Sequence, residues 1–169
     1  MSSAISDTGP ILHLSEIGRL NCLGVFDEMF VPDLVISECE ALGVMVADSS
    51  LFPLAVSFRA IPESEWRPFA GTSRTGYLHP ADAEVFALAR QMEFRLITLT
   101  DDLVLRRRIE AEGGTVAGTV GILVRALQAG LLGRAELSLA IDSLFTTSTL
   151  HMSRPFRTYV RRLISDILK

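Results

Sequence analysis

The chain has 169 residues, 49% of them hydrophobic, which is the length of one ordinary domain with ample material for a core. Of its 16 basic residues all but Lys169 are arginine, which excludes a P-loop ATPase, a Schiff-base enzyme and a phosphoacceptor receiver domain, each of which needs a lysine in its site. The formal net charge of −4 does not advertise nucleic-acid binding. No apolar run reaches the ~20 residues that span a bilayer, and the start MSSAISDTGP has neither a basic leader nor a signal-like apolar stretch, so a soluble cytoplasmic protein with no membrane partner is expected.

The opening SAIS reads as a short strand that ends at Asp7, and Pro10 suits the first turn of a helix, PILHLSEIG. A second helical stretch, RLNCLGVF, leads to a brief strand, MFVP, after which Pro32 opens the helix PDLVISECEAL carrying Glu38. Residues 43–80 lack a sustained period apart from a short strand near LAVSFRAI, and they read as an elaborated crossover. Pro80 then begins PADAEVFALARQMEF, where Val85, Phe86, Leu88, Ala89 and Met92 follow helical spacing and Asp82 and Glu84 sit in the first turn.

RLITLT is the clearest buried strand, and it runs into Asp101 and Asp102 before a helix through Arg106 that Gly113 and Gly114 stop. A last short strand, TVAG, precedes TVGILVRALQAGLL, with Gly118–Gly121 as a tight strand-to-helix turn, and two more helical segments fill residues 133–169 as a C-terminal extension. Strands alternating with helices predict an α/β three-layer sandwich in one domain, with a mainly parallel sheet of four to five strands.

Cys22 and Cys39 match neither a CxxC pair nor a zinc knuckle and read as buried hydrophobes; His13, His79 and His151 show no ligand spacing, which disfavours a His/Cys zinc site. His79, just before Pro80, reads as a helix-start residue. Arginines form two local groups, Arg106 to Arg108, and Arg154, Arg157, Arg161 and Arg162; each is either a solvated helix face or a nucleic-acid contact.

Open parallel sheets bind ligands beyond the carboxyl ends of their strands, where Asp7 and Asp101 lie and where Glu38 and Asp82 arrive if their helices pass alongside. Such a cluster repels itself without a cation, and its hard oxygen ligands favour Mg²⁺ or Mn²⁺. A cation there can activate a water and offset the charge that develops on a phosphodiester, so hydrolysis needs no His, Lys or Ser nucleophile. Each acid also has an ordinary role: Asp7 bonding its turn, Asp82 and Glu84 complementing a helix dipole, Asp101 or Asp102 capping a helix, Glu38 facing solvent. Thr8 and Thr100 adjoin the proposed site as auxiliary hydroxyls.

The segments DTGPIL, FVPDLVISE, LHPADAEVFALA, LITLTDD with an arginine-rich helix after it, and GTVGILVRALQAGLL together resemble the PIN domain, most of all a prokaryotic toxin-like branch whose closing helix HMSRPFRTYVRRL also resembles. The resemblance implies a metal-dependent ribonuclease, often the toxin of a toxin-antitoxin pair. It also implies RNA as substrate, a small antitoxin protein and a second copy of the chain as partners, and a cytoplasmic location. The family's four acids match Asp7, Glu38, Asp82 and Asp101, with Glu84 and Asp102 as alternatives. On this reading Arg106, Arg107, Arg154 and Arg157 hold the RNA backbone. The competing expectation is a catalytically weak binding or regulatory module on the same fold. A haloacid-dehalogenase-like phosphatase expects Asp-x-Asp at the first strand, whereas Asp7 is followed by Thr8 and Gly9.

Overall fold

A computed structural model describes residues 2–71 and 77–169; part of the crossover between 43 and 80 therefore lies outside the described residues. Strand β1 (Ser3–Ser6) leads into helix α1 (Thr8–Glu16), a 3-10 segment (Leu20–Val25), β2 (Glu28–Pro32) and α2 (Asp33–Ala41). The crossover holds a 3-10 turn (Ser49–Leu51), β3 (Ala55–Arg59), a short α3 (Glu63–Trp66) and a further 3-10 turn (Arg67–Phe69). Then follow α4 (Pro80–Gln91), β4 (Ile97–Leu99), α5 (Leu103–Ala111), β5 (Thr115–Ala117), α6 (Thr119–Gln128), α7 (Arg134–Thr146) and α8 (Arg154–Ile167).

The five strands form one sheet in the order β3-β2-β1-β4-β5, and every pairing is parallel. Right-handed crossovers place connections running toward β3 and those running toward β5 on opposite faces, so helices cover both sides. Helix α4 packs on β1, β2, α2 and α5, while α6 packs on α1 and α7. That coverage explains why β1 and β2 are buried nearly throughout: Ala4, Ile5, Ser6, Met29 and Val31 are fully buried.

Helix α1 begins at Thr8, two residues before the start that Pro10 marks, because Asp7 caps it by accepting from Thr8 N. Arg157 and Arg161 of α8 lie over the Phe145 ring of α7, at 5.5 and 5.4 Å from its centroid. Val160 and Ile164 of α8 are buried. No helix among the described residues is long and apolar enough to cross a membrane.

Candidate metal centre

Two backbone hydrogen bonds carry the sheet one step past its regular pairing: Asp7 N donates to Leu99 O (2.9 Å) and Thr100 N to Ala117 O (3.0 Å). The chain ends of β1 and β4 are thereby locked side by side. Asp7 Oδ1 accepts from Thr8 N (2.7 Å) and its Oδ2 from Thr100 Oγ1 (2.8 Å). Thr100 Oγ1 also accepts from Asp102 N (3.0 Å), and Asp102 Oδ1 caps α5 by accepting from Leu105 N (2.7 Å). Across the crevice Thr8 Oγ1 donates to Glu38 Oε2 (2.7 Å). Both threonine hydroxyls are therefore committed to carboxylates rather than open to a ligand.

The electrostatics mark which acids share the crevice. Burial pushes the Asp7 carboxyl up from 3.8 to about 6 against the hydrogen bonds from Thr100 and Thr8, and the charges of Glu38 and Asp102 add to the rise. Asp82 is pushed up further, to about 8, by burial first and then by Asp7 and Asp102, with a hydrogen bond to Asp7 and the charge of Glu38 contributing. Asp7, Glu38, Asp82 and Asp102 thus act on one another.

Asp101, the residue the sequence places fourth, faces elsewhere. Its Oδ1 accepts from Thr119 N (2.8 Å) and its Oδ2 from Thr119 Oγ1 (2.5 Å), while His13 Nδ1 lies 2.9 Å from the same Oδ2. Three positions, the end of β4 and the helices α1 and α6, are tied through this one carboxylate. A Cβ on Gly118 would come within 2.6 Å of Asp101 Oδ1, so the clamp needs glycine there. The charge of Asp102 thus acts on Asp7 and Asp82, while Asp101 is held by Thr119 and His13.

The choice between Asp82 and Glu84 resolves in the same way. Glu84 is buried and its Oε2 accepts from Leu34 N (2.7 Å) at the start of α2; burial, the largest influence, raises its pKa. His79 sits on the rim of the crevice, exposed, with Nδ1 3.2 Å from Glu38 Oε1. Linear sequence pairs neither His13 with Asp101 nor His79 with Glu38, because those partners are far apart in the chain.

Of the arginines, Arg106 Nη2 donates to Thr100 O (3.4 Å) and Nη1 lies 3.5 Å from Glu110, which places it against the corner that carries Asp102. Arg107 and Arg154 are exposed. Arg157 is instead half-buried over Phe145, with a buried Nε that has no hydrogen-bond partner, so it is turned into the protein rather than outward.

A divalent cation fits this donor set. All four acids offer hard oxygen, and burial together with neighbouring negative charge holds Asp7 and Asp82 toward their protonated forms, a strain that a cation would relieve. Among the described residues no group of three or more His, Cys, Asp or Glu side chains is placed to hold a metal ion as it stands.

The profile of a family described as PIN domain matches residues 3–166, nearly the whole chain. The chain belongs to the PIN-domain family. PIN domains commonly act as nucleases and generally use divalent metals. Among solved structures, this PIN domain is similar to a PilT N-terminus domain protein from the hyperthermophilic archaeon Sulfolobus solfataricus P2, with a TM-score of 0.53 and 16% identity over 75% of this chain and 94% of that one. At that identity the likeness speaks for the fold. No curated protein matches the chain significantly.

Proposed function

We propose that this PIN domain is an endoribonuclease that depends on Mg²⁺ or Mn²⁺, with Asp7, Glu38, Asp82 and Asp102 as the carboxylates that hold the cation. The observation that supports this most is the raised pKa of both Asp7, which is buried, and Asp82, which is partly buried: Glu38 and Asp102 add to the rise of each, and Asp7 adds to that of Asp82. The cation, when bound, supplies Lewis acidity at the scissile phosphate and at an attacking water.

The chain's own groups do the rest. Thr100 Oγ1 holds Asp7 Oδ2, and Thr8 Oγ1 holds Glu38 Oε2, so the two acids are presented in fixed rotamers. Capping of α5 takes only Oδ1 of Asp102, on Leu105 N, which leaves its second oxygen uncommitted to that cap. Arg106, anchored on Thr100 O, and the exposed Arg107 stand nearby to meet phosphates of the RNA strand. A small antitoxin protein and a second copy of the chain are the partners this reading expects, with the chain as the toxin of the pair.

Incubating structured and single-stranded RNA with the full chain and Mg²⁺ or Mn²⁺ tests the proposal, with single-stranded DNA alongside. Cleavage of RNA should vanish with EDTA and with Asp7→Asn. Activity that survives both sinks it.

A further inference from the structure

Next to the acidic crevice, along the same edge of the sheet, lies a cleft of about 1090 Å³ between the β5–α6 corner and helix α8. One wall is aliphatic, from Val120 and Val124 of α6. Phe156 and Tyr159 stand on the other side, with ring centroids 6.2 Å apart and planes 28° from parallel. Both rings are largely open to solvent, at 44% and 59% exposure, an arrangement that the packing of α8 does not need, since Val160 and Ile164 are its buried residues.

We infer that this cleft seats an unpaired nucleotide of an RNA strand whose neighbouring phosphate lies at the acidic crevice. Three observations point to nucleic acid as the occupant. The cleft is continuous with the crevice through one peptide: Asp101 lines it, while Asp102 faces Asp7 and Asp82. Its charged lining is complementary to phosphate, because Arg106 and Arg125 are both present and the only lining carboxylate, Asp101, is occupied by His13 and Thr119. Arg106 stands at the junction itself, anchored on Thr100 O. Its side chain is 31% exposed, and its guanidinium has N–H groups left for a bridging phosphate.

Aromatic rings beside aliphatic walls recognise the face of a base without reading its sequence, and they need that base out of a duplex. The inference rests on the ribonuclease reading above and adds to it a second contact site for the strand, formed with the C-terminal helix.

The test is anisotropy of fluorescein-labelled short RNA, single-stranded and duplex, with the full chain carrying Asp7→Asn to prevent cleavage. The single strand should bind more tightly than the duplex. Replacing both rings, Phe156→Ala with Tyr159→Ala, should weaken single-strand binding by roughly tenfold or more, the scale of losing a stacked base. Phe156→Trp, in place of Phe156→Ala, should keep or strengthen single-strand binding, as a larger stacking surface would. Phe58→Ala is the control: it is equally exposed, at 45%, but lies on β3 at the opposite edge of the sheet, and it should change nothing.

Single-strand binding that is unchanged in the double-ring variant overturns the inference. So does a loss of self-association in that variant with RNA affinity intact, which would make the cleft a surface between copies. Wild-type protein that cuts RNA with the same KM as the ring variant removes the cleft from the mechanism and leaves the ribonuclease reading standing. Wild-type protein that neither cuts nor binds RNA removes both.

Discussion

Asp101 and Asp102 are neighbours in sequence at the end of the same strand, yet they end in opposite circumstances. Asp101 meets three donors, two from Thr119 and one from His13, and its charge is satisfied by the protein itself. Asp102 gives one oxygen to Leu105 N and sends its charge toward Asp7 and Asp82, both already crowded by like charge. A carboxylate surrounded by donors builds structure, and one surrounded by carboxylates needs something from outside. Donor supply, rather than position in the chain, separates the clamp from the centre.

The largest effect that would sharpen this contrast is on catalysis. Asp82→Asn and Asp102→Asn should each lower metal-dependent RNA cleavage by more than the roughly 10–100-fold typical of losing an outer-shell partner. Both should also weaken Mn²⁺ binding measured by calorimetry, with melting temperature little changed. Asp101→Ala should do the reverse. It removes three hydrogen bonds to a largely buried carboxylate and should cost about 3 kcal/mol in chemical denaturation. If Asp101→Ala abolished Mn²⁺ binding in a chain that melted normally, the assignment of the two residues would have to be exchanged.

Gly118→Ala probes the same clamp from the backbone side. The added methyl would meet Asp101 Oδ1 at 2.6 Å and Arg106 Nη2 at 3.2 Å, and it should destabilise by ~1–3 kcal/mol as an overpacked site does. A substitution tolerated without loss of melting temperature would show that the clamp is loose.

The pH dependence follows from the raised acids. Asp7 and Asp82 bind their protons more tightly in the folded chain than at the ordinary value of 3.8. Their contribution to stability is whole below that value and is lost as pH climbs through about 6 and then about 8. Metal-free protein should therefore lose melting temperature between about pH 4 and about 8 as these groups ionise. Asp82→Asn should raise the melting temperature of metal-free protein at the alkaline end, with the gain shrinking toward acid. A metal-free melting curve that is flat over that range, with no gain from Asp82→Asn, would show that the acids do not strain one another. The smallest expected effect belongs to Glu84→Gln, which keeps an acceptor for Leu34 N and should leave cleavage rates unchanged.

Much of the architecture was legible because the apolar and turn signals agree with the fold. The strands at SAIS, MFVP, RLITLT and TVAG all form, and so does the one inside the crossover, where Ala55–Arg59 pairs with β2 as the sheet edge. The start of α1 was displaced because Pro10 tolerates the whole first turn, whereas the cap at Asp7 sets the true beginning.

Site assignments were less legible. Asp82 and Glu84 are two residues apart on a helix and so point in very different directions, and which one faces the crevice depends on how α4 lies on β1 and β2. The fate of Asp101 depends on Thr119 and His13, partners 18 and 88 residues away that no local pattern announces. The arginines divided in the same way: composition grouped Arg154 with Arg157, but only packing showed that Arg157 lies over Phe145.

Two of the crevice acids, Asp7 and Asp102, also begin helices, each with an oxygen on a backbone N–H, of Thr8 and of Leu105. Those two amides are therefore wired to the centre as natural reporters. Their proton and nitrogen resonances should move on titration with Mg²⁺ while amides in the middle of α1 and α5 stay put, so occupancy can be followed by NMR with no RNA in the tube.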